Sequence, residues 1–289
     1  MGVITVNTDF EKLYGFPERE LYAKQYLTFE ALEDCTFIIN WTAEFRTDAS
    51  DGLMKHISYS LDNGETWTTQ EINDEESLYV EGIKAGQTIL LKGDGLTANG
   101  GNDEYISFTF MNNGVNAKVN VYGNIMSLIY GDDFEGKEFD DNYEDTLGWL
   151  FEHSYVVSAK NLILPDNVFA YCYQEMFNNC TELTEAPELP ATTLTNGCYS
   201  QMFKCCTSLV NAPVLPATTL VSSCYAYMFN GCTNLNHIKA LFTTTPSDTY
   251  TKDWLKNVAA TGTFVKNTEA TWNVTGANGV PSEWTVETA

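Results

Sequence analysis

CYSQMFKCCTSLVNAPVLPATTL, residues 198–220, is the second of three copies of one 26-residue repeat. The first copy, CYQEMFNNCTELTEAPELPATTL, occupies 172–194, and the third, CYAYMFNGCTNLNHIKALFTTTP, occupies 224–246. Self-similarity at a fixed period of this size is typical of proteins that stack one supersecondary unit per copy. The repeat therefore predicts a solenoid, in which neighbouring copies bury each other's apolar faces.

Five apolar positions recur in all three copies and are predicted to form the stacked core. They are Cys172, Met176, Phe177, Cys180 and Leu183 in copy 1, Cys198, Met202, Phe203, Cys206 and Leu209 in copy 2, and Cys224, Met228, Phe229, Cys232 and Leu235 in copy 3.

Within one copy, the apolar residues have helical spacing. From Cys198 to Cys206 they stand at i, i+4, i+5 and i+8, which predicts a short helix with one buried face. After Leu209, Pro213 and Pro216 exclude a helix, so the second half is predicted as an extended segment. One copy is then a helix followed by a strand-like segment, and the expected fold class of the chain is α+β.

The pattern CYxxMFxxCTSLxxAPxLPATTL resembles the BspA-like leucine-rich repeat of proteins from gut bacteria and their phages. The second copy carries the whole pattern, the first most of it, and the third departs from it after Leu235. The stretches 123–139 and 262–286 are similar to segments that flank the repeats in that family. The resemblance covers the C-terminal half of the chain or slightly more. It implies a leucine-rich-repeat solenoid with a C-terminal cap.

The stretches beside the repeats are expected to extend the stack. Residues 146–171 are predicted to be an imperfect fourth copy, because Phe151 precedes Phe177 by 26 residues. After the third copy, the buried stripe is expected to continue at Trp254. Trp272 is then predicted to cover the last exposed edge, since terminal repeats are atypical.

The N-terminal half predicts an antiparallel β-sandwich. Short segments rich in β-branched and aromatic residues recur there at the spacing of sandwich strands. Two hairpins are expected, one at 56–72 around an Asp-Asn-Gly turn and one that joins 104–114 to 117–124. The predicted organisation is an N-terminal arm (1–25), a β-sandwich domain (26–124) and a solenoid with its flanking segments (125–289).

Composition excludes several classes of partner. The chain has 39 acidic and 15 basic residues, a formal net charge of −24, and most of the excess lies in residues 1–145. Such a surface repels phosphate backbones and anionic lipid, so neither nucleic acid nor a membrane is an expected partner. The sequence contains no run of about 18 apolar residues, so no transmembrane helix is predicted. The first residues lack the basic and apolar regions of a secretory signal.

Seven of the eight cysteines lie in the repeats. They could form a disulfide ladder or a metal site, or they could be free buried thiols that act as small hydrophobes. A zinc site needs four convergent ligands, whereas stacked copies supply a row of them. We therefore predict free buried thiols, with Cys205 facing outward, and neither a metal nor a cofactor.

SLDNGETW, residues 60–67, matches the SxDxGxTW pattern of the Asp-box, which is familiar from sialidases. Sialidase chemistry needs an arginine cluster to bind a carboxylate, and this chain has only Arg19 and Arg46. The motif is therefore predicted to be structural, with Asp62 bound to turn amides and Trp67 packed beneath.

Other chemistry has little support in the sequence. The acidic stretch 132–145 offers the oxygens that calcium prefers, but its spacing fits no EF-hand loop and indicates a solvated face. A glycoside hydrolase needs two carboxylates beside a cleft, and 39 acidic residues provide too many pairs to choose one. No catalytic residue is predicted, and the chain is not expected to be an enzyme.

The expected function is non-enzymatic recognition or structure. A repetitive surface can bind a protein or a glycan, and the polar turns at Thr192, Thr193, Thr218 and Thr219 are the candidate face. The resemblance implies a surface location. We expect a phage virion fibre or a capsid or tail decoration protein, assembled in the host cytoplasm, that contacts other virion proteins and the host surface.

Two alternatives to this function stay open. One is a bacterial cell-surface adhesin, and the other is a glycoside hydrolase with unidentified carboxylates. The missing leader favours the virion over the adhesin. Fibres and decoration proteins are usually symmetric, so a dimer or trimer held through residues 1–25 or the sandwich is expected.

Overall fold

A computed structural model describes residues 18–43, 56–72, 77–95, 104–139 and 146–289 of the chain. Within those residues, strands are the main regular structure. They are β1 (Leu27–Ala31), β2 (Cys35–Ala43), β3 (His56–Ser60), β4 (Thr68–Glu71), β5 (Leu78–Ile83), β6 (Thr88–Gly93), β7 (Glu104–Asn112), β8 (Val115–Asn116), β9 (Lys118–Asn124), β10 (Tyr155–Ser158), β11 (Leu162–Ile163), β12 (His237–Ala240), β13 (Thr263–Lys266) and β14 (Thr285–Thr288). Helices in the same residues are short: α1 (Glu18–Tyr22), α2 (Ser127–Tyr130) and a 3-10 helix at Gly131–Asp133.

The N-terminal strands form two sheets that pack face to face. In the first, β4, β3, β6, β1 and β9 lie side by side and antiparallel; in the second, the order is β5, β2, β7 and β8. The ring of Phe29 on β1 lies 5.8 Å from that of Phe37 on β2 and 4.8 Å from that of Phe110 on β7. Apolar side chains from the two sheets thus share one interior, as the predicted sandwich requires.

One of the two predicted hairpins is present and the other is wrong. β3 pairs with β4 in the register His56↔Glu71, around the Asp-Asn-Gly turn. β9, however, pairs with β1 in the first sheet, in the register Thr28↔Tyr122, while β7 turns back only into the two-residue β8. Alternation marks both segments as strands, but it does not say which sheet takes each one.

The first sheet continues into the repeat half. β10 and β11 pair with β9 in parallel, through Val156↔Val119 and Leu162↔Gly123. One contiguous cluster of buried apolar side chains extends from Leu27 to Trp284. The sandwich and the repeats therefore share a sheet and a core.

The helix predicted in each copy is wrong. Copy 2 is a series of turns in which Gln201 and Cys205 have φ values of 57° and 60°, a left-handed conformation that α-helices exclude. The N–H of Gln201 donates to the carbonyl of Ala226 in the next copy at 2.8 Å. The N–H of Met202, one residue later, bonds back within its own copy. Alternate N–H groups therefore join neighbouring copies.

A four-residue turn unit explains why the helix was predicted. Each unit places two adjacent side chains inward, so buried residues fall at i, i+4, i+5 and i+8, a spacing that an amphipathic helix shares. In a helix, all the backbone hydrogen bonds would lie within one copy. Here, half of them run between copies, as between strands of a sheet.

The predicted α+β class is therefore wrong, and so is the predicted leucine-rich-repeat solenoid with its C-terminal cap. The chain is an all-β fold with mixed and antiparallel sheets.

The structure fully buries all fifteen side chains of the repeat core. Their aromatic members stack in a column: Phe203 lies 5.6 Å from Phe177 and 5.6 Å from Phe229, with nearly parallel rings. Phe151, from the stretch expected to be a fourth copy, lies 5.0 Å from Phe177 and extends the column. The rise between copies is thus close to the spacing of strands in a sheet.

The extended second halves of the copies meet a third, parallel sheet. β12 pairs with β13 and β13 with β14. Isolated bridges Asn211↔His237 and Leu215↔Ala240 join copy 2 to β12. After β13, the ring of Trp272 stacks on that of Phe242, with the ring centroids 5.3 Å apart.

The cysteine thiols are buried, as predicted, except for the half-exposed Cys205. The Sγ of Cys206 donates a hydrogen bond to the carbonyl of Phe177 at 3.1 Å, and the Sγ of Cys232 donates to the carbonyl of Phe203 at 2.9 Å. Burial raises the pKa of Cys198 to about 12. Because the thiolate is the reactive form, these side chains should be inert.

We expect one fast-reacting thiol per folded chain. Native protein treated with a thiol-specific disulfide reagent at neutral pH should release one equivalent quickly, from Cys205, and the other seven only on unfolding. The variant Cys205→Ser should lose the fast phase while the slow phase persists. Two or more fast equivalents in the native protein would contradict the burial of the repeat cysteines.

Candidate binding surface

A shallow cleft lies where copy 1 meets the chain just before it. Its volume is about 420 Å³, and it is lined by Glu138, Asp166, Asn167, Val168, Thr192, Thr193 and Thr195. The lining holds two carboxylates, one amide and three hydroxyls, of which the Thr195 hydroxyl is buried. The cleft is therefore rich in groups that exchange hydrogen bonds with a polar ligand.

Backbone contacts fix one wall of the cleft. Oε2 of Glu138 accepts hydrogen bonds from the N–H groups of Asp166 at 2.7 Å and Asn167 at 3.2 Å. The amide of Asn167 both donates to the carbonyl of Phe139, at 2.6 Å, and accepts from its N–H, at 3.1 Å. These reciprocal bonds hold residues 138–139 against the loop at 166–167.

The other wall comes from the Pro-Ala-Thr-Thr-Leu end of copy 1. Ala191 and Leu194 are buried and anchor this turn, while Thr192 and Thr193 between them are exposed. Two apolar anchors on either side of two polar residues thus turn both hydroxyls outward. The sequence supplies the same arrangement in copy 2.

Two buried tyrosines lie close to the acidic residues of the cleft. Tyr173 and Tyr199 stack at 5.6 Å, and neither hydroxyl has a hydrogen-bond partner among the described residues. Burial raises the pKa of each phenol well above its usual value. The charge of Glu138 adds to this effect on Tyr173, and that of Asp166 adds to it on Tyr199.

The structure separates the four threonines of the candidate face into two pairs. Thr192 and Thr193 line the cleft. Thr218 and Thr219 are equally exposed but lie one copy along, outside the lining; the carbonyl of Thr218 accepts from the N–H of Thr243 at 2.8 Å. Sequence reasoning missed Asp166 and Asn167, because no repeat position or motif distinguishes them from other surface residues, and it considered Glu138 only as one acid of the stretch 132–145.

The described end of the N-terminal arm reaches the edge of this cleft. The guanidinium of Arg19 on α1 donates to Asp166 at 3.3 Å, to the carbonyl of Leu164 at 3.2 Å and to Glu188 at 3.4 Å. The acceptors Asp166 and Glu188 are largely exposed, so each ion pair is weak on its own. The rest of the arm, residues 1–17, lies outside the described residues.

The Asp-box forms the turn that the sequence predicts. Oδ1 of Asp62 accepts from the N–H of Thr66 at 2.9 Å and from the hydroxyl of Ser60 at 2.7 Å. Oδ2 accepts from the hydroxyl of Thr66 at 2.6 Å. These bonds, chiefly those from Thr66, lower the pKa of Asp62 to about 2. Trp67 packs edge-on against Tyr26 at 4.9 Å, so the motif ties the turn to the residue that precedes β1.

The Asp-box turn should therefore weaken in acid. An unfolded aspartate titrates near pH 4, so the stabilisation from Asp62 is complete above pH 4 and is lost as the pH falls towards about 2. Urea unfolding should find Asp62→Asn less stable than the parent at pH 6, with the difference shrinking towards pH 2. Glu65→Gln in the same turn is the control and should not show that trend. A pH-independent difference for Asp62→Asn would contradict this role.

A second cleft lies beside the Asp-box, on the outer face of the first sheet. It is lined by His56, Ser58, Thr69, Lys92, Gly93, Asp94, Gly131 and Asp132. Its charges are largely paired, since Lys92 binds Asp132 at 2.6 Å and His56 lies 2.6 Å from Asp94. The ammonium of Lys92 also lies 4.3 Å from the ring centroid of Trp67. This cleft therefore offers fewer unpaired polar groups than the first.

The described part of the acidic stretch 132–145 is spread out. Asp132 accepts from Lys92 and from the hydroxyl of Tyr26, at 2.8 Å, while Glu138 binds backbone amides in the first cleft. In the described ranges, no group of three or more His, Cys, Asp or Glu side chains could hold a metal ion. Residues 140–145 lie outside the described residues.

Comparisons with known proteins give no relative. No protein-family model, no curated protein and no solved structure matches the chain. The longest helix in the described part has five residues, and none there is long and apolar enough to cross a bilayer.

Proposed function

We propose that the chain is a non-enzymatic recognition protein that binds a glycan in the cleft between residues 138–139, the 166–168 loop and copy 1. The observation that carries this proposal is the cleft itself, where Thr192 and Thr193 face two carboxylates and an amide. The bonds of Glu138 and Asn167 to backbone groups hold the site in place without a ligand.

The chemistry of the lining favours a neutral, hydroxyl-rich ligand. Carboxylates accept hydrogen bonds from sugar hydroxyls, and threonine hydroxyls both donate and accept them. A polyanion is disfavoured, because Glu138 and Asp166 would repel it and the chain carries a net charge of −24. Neutral envelope polysaccharides and mucin glycans are therefore the ligands to test.

The repeat supplies a matched pair of variants for this test. Thr192→Val with Thr193→Val removes two hydroxyls from the cleft, whereas Thr218→Val with Thr219→Val removes the equivalent pair one copy along. Binding to immobilised neutral polysaccharides and to mucin would be measured by interferometry. Two lost hydrogen bonds should weaken binding by the first variant about tenfold or more, while the second stays within about twofold of the parent.

Two results would contradict the proposal. Equal loss in both variants would mean that the ligand lies along a threonine ridge and not in the cleft. If a polysaccharide binds the parent and the cleft variant binds it equally well, the site lies elsewhere. Circular dichroism and thermal unfolding would first establish that both variants fold like the parent.

We further propose a virion as the location, with a bacterial cell surface as the alternative; both rest on the family resemblance of the repeat. Immunogold labelling with an antibody to residues 172–245, on intact cells and on purified phage particles from one culture, separates them. Gold label on the phage particles and none on the cells supports a virion protein. Gold on cells with clean particles supports the adhesin.

One feature of the cleft favours glycoside hydrolysis as the second candidate function: Glu138 and Asp166 share it. Hydrolysis requires one carboxyl group to act as an acid and the other as a base or nucleophile. Product release from a bound polysaccharide, abolished by both Glu138→Gln and Asp166→Asn, would establish the enzyme. Binding without release would support recognition alone.

A further inference from the structure

The outward face of the extended segments changes character from one copy to the next. At equivalent positions, copy 1 carries Glu188, copy 2 carries Val214, and copy 3 with β12 carries Lys239. Val214 is 48% exposed, and Val210, four residues earlier in the chain, is 42% exposed. Over copies 1 to 3 the face is thus acidic, apolar and basic in turn, and beyond Lys239 the same row continues with Val265 on β13 and Glu287 on β14.

Backbone register places Lys239 beside Val214, and the repeat period places Glu188 in the same row. Ile238 and Ala240 on β12 are buried, so Lys239 between them points outward. The bridge Leu215↔Ala240 puts Val214 directly beside Lys239, and the N–H of Leu215 donates to the Lys239 carbonyl at 2.9 Å. Glu188 precedes Val214 by one 26-residue period and lies on the other side of it.

A second row has an acidic residue and a histidine at the corresponding places, with the polar Asn211 between them. Asn211 pairs with His237, and Glu185 precedes Asn211 by 26 residues. All three are exposed, and Glu185 accepts a hydrogen bond from the hydroxyl of Ser158 at 2.8 Å. Adjacent copies lie 5.6 Å apart, measured between the rings of Phe177 and Phe203. The acidic and basic sides are therefore about two such steps apart.

We propose that this face binds the same face of a second subunit, as a twofold symmetric dimer. A twofold axis between the two faces, parallel to the strands and level with copy 2, reverses the stacking order. Val214 then packs near its own symmetry mate, and Lys239 of each subunit meets Glu188 of the other. In the second row, His237 of each subunit meets Glu185 of the other.

The charges select this axis over the alternative. A twofold axis along the stacking direction would place Glu188 on Glu188 and Lys239 on Lys239, which repel each other. Among the described residues, Lys239 forms no ion pair. A partner that covers Val214 must place an acid opposite Lys239 for the charges to match. Another copy of this chain supplies that acid.

The sequence led us to expect the dimer contact at the arm or the sandwich, whereas this face lies on the repeats, with Arg19 of the arm beside Glu188. None of the residues named for this face lines the glycan cleft, and Arg19 contacts both Glu188 on the face and Asp166 in the cleft. Glu188 is 72% exposed and pairs with Arg19 at 3.4 Å, so this carboxylate is free to contact a second cation. Exposed apolar side chains at the centre with charged ones at the margin are typical of protein interfaces.

Sedimentation velocity of the full chain at about 1–100 μM and near-physiological salt tests the dimer. The parent should show a monomer–dimer equilibrium. Val214→Glu should raise the dissociation constant about tenfold or more. This variant keeps its fold, because copy 1 carries Glu188 at the same place. A chain that stays monomeric across the range, a trimer, or a dimer that Val214→Glu leaves unchanged would each overturn the proposal.

A charge exchange tests the symmetry. Lys239→Glu and Glu188→Lys should each weaken the dimer about fivefold or more, and the double variant should return to within about twofold or threefold of the parent. Lys252→Glu, the same charge change on the turn side of the molecule, is the control and should leave the dissociation constant unchanged. If the double variant loses as much dimerisation free energy as the two single variants together, the Lys239–Glu188 pairing is overturned.

Discussion

Phe203→Ala should destabilise the protein by about 3–5 kcal/mol. The Phe203 side chain is fully buried, and its ring stacks between Phe177 and Phe229 at 5.6 Å on each side. Its removal leaves a cavity that neighbouring copies cannot close, because hydrogen bonds from Phe177 N–H to Met202 and from Phe203 N–H to Met228 fix their separation. Urea unfolding, followed by circular dichroism, would give the change in unfolding free energy.

Val286→Ala is the control for this substitution. Val286 lies on β14 and is 48% exposed, so its truncation should change the unfolding free energy by less than about 0.5 kcal/mol. A loss below about 1 kcal/mol for Phe203→Ala would mean that the column of phenylalanines does not carry the stability of the repeats.

Gly123→Ala should cost about 3–5 kcal/mol, as a strained backbone and a steric clash add together. Gly123 has a φ of 85°, in the left-handed region, where it passes under the chain that leads into β1. An added Cβ would lie 2.1 Å from the carbonyl oxygen of Tyr26 and 3.2 Å from that of Gln25. Both obstacles are backbone atoms, so β9 or β1 must move. Thermal unfolding and urea unfolding would both detect the change.

Gly114→Ala separates the two contributions. Gly114 has nearly the same φ, 83°, but an added Cβ there would meet no atom within 4 Å. It should cost only the left-handed strain, about 1–2 kcal/mol. Equal losses at Gly123 and Gly114 would show that the close approach of Tyr26 to β9 contributes nothing.

The repeat and its buried positions could be predicted from the sequence, but the conformation of its backbone could not. The 26-residue period identified the buried positions, including Phe203 and Cys206, because burial depends on which residues are apolar and how they recur. The same spacing is satisfied by a helix and by a series of four-residue turns. The structure has turns because N–H groups such as that of Gln201 bond to the next copy. Whether the backbone forms a helix or turns therefore depends on the copies that lie next to it in space.

The candidate site shows the same division. Thr192 and Thr193 were identifiable as exposed turn residues. Their cleft depends on residues 138–139, which are joined to the 166–167 loop by bonds between residues 28 or more positions apart. A pattern search within one copy finds no such contact, so the sequence could not distinguish Thr192 from Thr218.

The amino-acid sequence by itself determined which side chains are buried in the repeats, where the β3–β4 hairpin turns and how the Asp-box binds its turn amides. All three depend on residues close in the chain or on a regular period. The tertiary structure decided the all-β class, the pairing of β9 with β1 and the parallel continuation through β10. It also decided the cleft and the face at Val214. Each of these is a hydrogen-bond or packing choice between distant segments, and several pairings would satisfy the same local pattern equally well.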